Sequence, residues 1–191
     1  MPGFPNGERF SVSLDGKELY LAAVKDSGDL LDTDEAGVRI QAIPADVLSD
    51  REDGYPGYAV WELETDHQQG DYAWMDAGGD FLPGSYLKYD EEIMPAGLDH
   101  DPDTDKQPER YQWYVEEIGN GRCQFRNVAA GEGLRLGVEE NGNGGYRVAM
   151  VAANADDPGQ AWQFSMPLGT PSESHPFFGC FGTSSETDQA E

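Results

Sequence analysis

Apolar and polar residues alternate or cluster over short stretches of this chain, and a helical period is hard to find. "FSVSL" (10–14), "ELYLAAV" (18–24), "VRIQAI" (38–43) and "AVWELE" (59–64) place β-favouring residues between turn signals. With 24 glycines and 12 prolines as punctuation, the pattern predicts an all-β chain. Short strands at close, regular spacing suit either a sandwich or a barrel, so a second regularity has to choose between them.

Tryptophan supplies that regularity. "AVWELE", "YQWYVE" and "QAWQFS" set Trp61, Trp113 and Trp162 at intervals of 113 − 61 = 52 and 162 − 113 = 49 residues, each followed two positions later by Leu63, Val115 or Phe164. Period two puts each pair on one strand face, which makes these six residues the expected core. Upstream of the tryptophans, "FSVSLDGKELYLAAV" (10–24) and "QFRNVAAGEGLRLGV" (124–138) both read strand, glycine-containing turn, strand. "YAWMDAGGDFLPGSYLKYD" (72–90) does the same with a longer connection. "VRIQAI" and "YRVAMVA" follow as third strands, with "EEIMPAG" (91–97) as the candidate in the middle repeat. Four strands taken three times makes twelve.

Three four-stranded repeats, each ending in an inward Trp, resemble the β-trefoil. The third repeat, "NVAAGEGLRLGV" followed by "GQAWQF", is similar to the ricin-B type with its Gly turn, Leu and Gln-x-Trp. Gln160 keeps the Gln, while Ala59 and Tyr111 stand at the matching places. The resemblance implies one domain over 8–166, with repeats of about 8–66, 67–119 and 120–166. A mostly disordered acidic tail would follow at 167–191, and a β-sandwich is the competing architecture. The tail is rich in Pro, Ser, Gly and acid yet contains "FFGCF", an aromatic cluster that either docks on the barrel or serves as a hook for a partner.

Charge narrows the partners. Acidic residues number 37 against 12 basic, a formal charge of −25, which repels polyphosphate and anionic lipid alike. No apolar run reaches the roughly 20 residues of a membrane span. "MPGFPNGERF" lacks the basic start and apolar centre of a secretion signal, so the expectation is a cytoplasmic protein, with export by another route left open. Cys123 and Cys180 read as a buried strand thiol and an exposed tail thiol; a bridge between them has no support in the pattern.

Catalytic and metal signals are sparse. His67, His100 and His175 stand in polar, loop-like surroundings without a nucleophile motif, and carboxylate pairs are too common in so acidic a chain to mark a dyad. "DHDPDTD" sets Asp99, Asp101, Asp103 and Asp105 at alternate positions, but neither register of a calcium loop puts Gly and Glu where they belong. No cofactor or metal is expected.

Within the resemblance, sugar binding asks for an Asp directly after the first Leu of the second strand and an Asn before Gln-x-Trp. Tyr20, Lys88 and Arg135 hold the first place, and Tyr58, Arg110 and Gly159 the second. Sequences such as "PADVLSDREDGYPGY" (44–58) and "MPAGLDHDPDTDKQPE" (94–109) look like long loop insertions, similar to those of the mycocypin-like fungal trefoil protease inhibitors. The expected function is therefore non-enzymatic protein recognition by rim loops, protease inhibition being its specific form, in a monomer. The alternative is a divergent ricin-B-type lectin that takes a glycan. Tyr20, Tyr58, Arg135 and Gln160 are the candidate ligand contacts.

Overall fold

The computed structural model describes residues 9–25, 38–49, 59–64, 74–77, 85–90, 94–100, 108–140 and 146–165. Tyr58, His67, Asp101, Asp103, Asp105, His175, Cys180 and the aromatic cluster at 177–181 lie outside them.

The first repeat is β1 (Arg9–Leu14), β2 (Leu19–Lys25), β3 (Val38–Pro44), a single helical turn α1 (Ala45–Ser49) and β4 (Val60–Glu64). The second holds β5 (Trp74–Ala77), β6 (Ser85–Asp90), β7 (Met94–His100) and β8 (Trp113–Gly119). The third holds β9 (Arg122–Asn127), β10 (Leu134–Glu140), β11 (Tyr146–Ala152) and β12 (Trp162–Ser165). First and last strands of the repeats pair around a barrel wall, β4 on β1 and β5, β9 on β8 and β12, and β12 back on β1. The middle strands form the hairpins β2–β3, β6–β7 and β10–β11, and β3 pairs with both β7 and β11. Barrel plus triangle of hairpins is the β-trefoil, in one 12-stranded sheet.

The register repeats with the fold. Trp61 faces Ala77, Trp113 faces Asn127 and Trp162 faces Leu14, so each tryptophan abuts the first strand of the following repeat. Two residues on, Leu63 pairs with Met75, Val115 with Phe125 and Phe164 with Val12. All three indoles are fully buried, as are Met75, Phe125 and Val12. The three Nε1–H groups donate to one set of carbonyls: Trp61 to Leu21 at 2.9 Å, Trp113 to Leu87 at 2.9 Å and Trp162 to Leu136 at 2.8 Å. A buried indole thus removes a large apolar area from water, worth roughly 3 kcal/mol or more, without orphaning its N–H. Phe164 packs edge-on against Phe10 and Phe125, with ring centroids 4.7 and 5.7 Å away.

Two segments differ from the sequence reading. The third strand of the middle repeat, expected at 91–97, runs Met94–His100, so the first half of the supposed insertion 94–109 is strand. Leu87 pairs with Leu98 and Tyr86 with Asp99: the ladder of β6 draws in a stretch whose Pro, Gly and Asp argue against a strand, as tertiary pairing commonly overrides local preference. The supposed insertion at 44–58 likewise begins with the last residue of β3 and the turn α1.

Candidate functional site

Polar side chains gather on the outer wall formed by β8, β9 and β10, and the local sequence explains how. β8 and β9 are joined by Asn120 and Gly121 with φ of 57° and 72°, the pair of positive values that a two-residue hairpin of right-handed twist requires. A bulge between Glu117 and Gly119 then shifts the pairing, which brings Val115 opposite Phe125 and Tyr114 opposite Arg126. Val115 and Phe125 go to the core, and Tyr114, Glu116 and Arg126 to the other face.

On that face Glu116 is gripped from two sides. Arg126 Nε donates to Oε1 at 2.7 Å, and Arg135 Nη2, from β10, lies 2.8 Å from Oε2. Arg126 also sits over the Tyr114 ring, its Cζ 3.9 Å from the centroid. Arg135 is further fixed by Nη1, which donates to the carbonyls of Glu132 at 2.7 Å and Leu134 at 2.8 Å, while its Nε is buried without a partner among the described residues. The side chains of Arg126, Arg135 and Glu116 are 18%, 13% and 34% exposed. A pair this sheltered is weakly screened by salt and holds its geometry.

Beside this cluster the connection from β11 to β12 is locked by Gln160. Its Nε2 donates to Ala152 O at 2.8 Å and Asp157 Oδ2 at 3.1 Å, and its Oε1 accepts from Asn154 N at 3.0 Å. Gln124, buried on β9, adds a bond to Asn154 O at 3.0 Å. Asp157 in turn accepts from Gly159 N at 2.8 Å. The result is a fixed turn whose residues Ala153–Asp156 are exposed.

The sequence-derived contacts therefore have separate fates. Gln160 is 1% exposed and its amide is committed to the turn, so it shapes the surface and does not offer its own groups. Arg135 joins the polar wall but faces Glu116. Tyr20 is half-buried against Ala22, Ile43 and Ala59, where loss of hydration, and secondarily the charge of Glu18, raise its hydroxyl above the ordinary value of 10.0. Tyr58 lies outside the described residues.

Lys88 is not the counterpart of Tyr20 and Arg135. The indole bonds make Leu21, Leu87 and Leu136 equivalent, so Tyr20, Tyr86 and Arg135 share one position and Ala22, Lys88 and Gly137 the next. The first Leu of the strand misled because β2 and β10 each carry an extra leucine two places earlier. Neither set contains an acid. At Gly137 a Cβ would stand 2.9 Å from Gly159 O and 3.1 Å from Gln160 Cγ, so the chain itself fills that place in the third repeat. In the first repeat Ala22, Ile43 and Ala59 fill it with apolar groups.

Glu116, Arg126, Tyr114 and Gln124 were not among the sequence-derived contacts. The available signal was Asn120–Gly121, a hairpin turn that ties β8 to β9, but the bulge that sets their partners left no mark in the pattern. Cys123 is buried, its Sγ 3.4 Å from Trp162 O. Among the described residues no group of three or more His, Cys, Asp or Glu is arranged to hold a metal ion. No described helix is long and apolar enough to cross a membrane.

No family model and no curated protein sequence matches the chain. Solved structures do. A cytolethal distending toxin from Actinobacillus actinomycetemcomitans superimposes with a TM-score of 0.64 at 12% identity, over 87% of this chain and 96% of the toxin chain. The Macrolepiota procera ricin B-like lectin, in complex with lactose, gives 0.56 at 13% identity, over 86% of this chain and 99% of the lectin. The Polyporus squamosus lectin gives 0.58 at 13% identity over 85% of this chain, which spans 50% of that longer lectin. Lectins and a toxin sharing one backbone at such low identity establish the architecture: this chain folds as a β-trefoil.

Proposed function

We propose that the protein is a non-enzymatic binding module whose ligand is a glycan, taken at the outer wall formed by β8, β9 and β10. The observation that carries this reading is the Arg126–Glu116–Arg135 cluster beside the Gln160-locked turn. A hydroxyl-rich ligand needs donors and acceptors side by side on strands that do not move, and a prepositioned set lowers the ordering cost of binding. Glu116 is ion-paired through both oxygens, so its part is to hold Arg126 and Arg135 in place for a ligand. Similarity of fold to a ricin B-like lectin solved with lactose supports the same reading.

A glycan array probed with the purified chain tests it. Concentration-dependent binding that free sugar displaces is expected; a blank array across neutral and acidic glycans would leave the reading without a ligand.

A second reading, recognition of protein with protease inhibition as its specific form, is favoured by one observation. Arg135 and Gln160 are both occupied by the protein's own groups, so those two positions do not serve a sugar directly. Stoichiometric inhibition of a cysteine or serine protease by excess protein would support it, and absence of both inhibition and complex formation across a panel would remove it.

A further inference from the structure

The open end of Arg126 specifies the ligand further, on the footing of the glycan reading. Three edges of a guanidinium can bind: the Nε side, the Nη1–Nη2 end and the flat faces. In Arg126 the Nε side is taken by Glu116 and the guanidinium carbon sits over the Tyr114 ring. The end pair makes no hydrogen bond with any other described residue. Nor is it shut away, because the buried side-chain nitrogen without a partner among the described residues is Nε of Arg135. A planar fork held by Glu116 at its side and packed over Tyr114, with its end unbonded and not fully buried, is the arrangement that accepts a carboxylate through two parallel bonds.

Charge agrees with this. Glu116 alone would cancel Arg126, but Arg135 sits on its other oxygen, so two guanidiniums and one carboxylate leave one positive charge for an incoming anion. The surroundings are mild for so acidic a protein. Between 113 and 166, Arg122, Arg126, Arg135 and Arg147 stand against Glu116, Glu117, Glu132, Glu139, Glu140, Asp156 and Asp157, a balance of 4 − 7 = −3 in a chain of formal charge −25. Repulsion from the distant acids is damped over a screening length of about 8 Å at physiological salt, whereas a polyanion would extend beyond that shelter.

We infer that the Nη1–Nη2 edge of Arg126 receives the carboxylate of an acidic sugar, so that the preferred glycans end in a uronate-type residue. The probes are a glucuronate-terminated oligosaccharide and its counterpart ending in glucose, titrated calorimetrically into the full chain at low and high salt. The acid should bind about tenfold tighter or more, and added salt should shrink that gap. Arg126→Gln should bring the acid to the level of the neutral sugar. Arg126→Lys, which keeps the charge and loses the fork, should fall between the two. Near-ultraviolet circular dichroism checks that each variant is folded, and the acid-against-neutral comparison on the unaltered protein stands without any variant.

Equal affinity for the two sugars, or an undiminished preference in folded Arg126→Gln, overturns the inference while leaving the glycan reading in place. A blank glycan array removes both.

Discussion

The carbonyl oxygen of Gly159 lies 2.9 Å from the point at which a Cβ on Gly137 would stand. Glycine at 137 therefore lets the turn before Trp162 rest directly on β10. Gly137→Ala should force Gly159 and Val151 apart and cost about 1–3 kcal/mol, read as a lower urea midpoint with an unchanged slope. Gly133→Ala, where a Cβ meets open space, is the control.

The threefold indole bond makes a comparative prediction. Replacing Trp61, Trp113 or Trp162 by Phe removes the N–H that the carbonyl of Leu21, Leu87 or Leu136 accepts, in addition to lost volume. Each change should cost roughly 2–4 kcal/mol. Equilibrium unfolding of the three variants checks whether the costs agree; a variant with no loss would show that its indole bond contributes nothing net.

Gln160→Ala should loosen the surface more than it weakens the core. Ala152 O, Asn154 N–H, Asp157 Oδ2 and Gln124 Nε2 each lose a bond together. Hydrogen exchange at the Asn154 amide is expected to accelerate markedly, while amides in the β8–β9 pair keep their protection. Global stability should fall by about 1–3 kcal/mol.

Tyr20 makes stability depend on alkaline pH. Burial first, and Glu18 second, raise its folded pKa above the ordinary 10.0, so the folded chain keeps the proton where the unfolded chain loses it. Its contribution is whole below about pH 10 and disappears as pH climbs through the raised folded value. Thermal unfolding of Tyr20→Phe should show a shallower decline over that range than the unaltered protein; identical slopes would remove the effect.

Much of the architecture was legible in the sequence, and the reason is spacing. Trp61, Trp113 and Trp162, each with an apolar partner two residues on, state both a strand period and a threefold period, and neither depends on distant contacts. Gln160 was legible as a residue but not as a role. A Gln two places before a Trp reads as a ligand contact until it is seen bonded to Ala152, Asn154 and Asp157. Met94–His100 was obscured because its Pro, Gly and Asp deny it a strand signature, and β6 supplies the pairing that its own residues do not.

The sequence by itself determined the all-β character, the three repeats and which aromatic residues go inside, since alternation and spacing along the chain are enough to decide which side chains leave water. The polar wall belonged to the tertiary structure. Asn120 and Gly121 specify a turn, and the pairing of Gly119 with Arg122, continued without a shift, would set Val115 against Arg126. The bulge moves the partner by one residue, because one slip exchanges the faces of a strand and Val115 and Phe125 must share the core. Tyr114, Glu116 and Arg126 are brought together by that same shift, and Arg135 meets them from a separate hairpin, through contacts that no local pattern records.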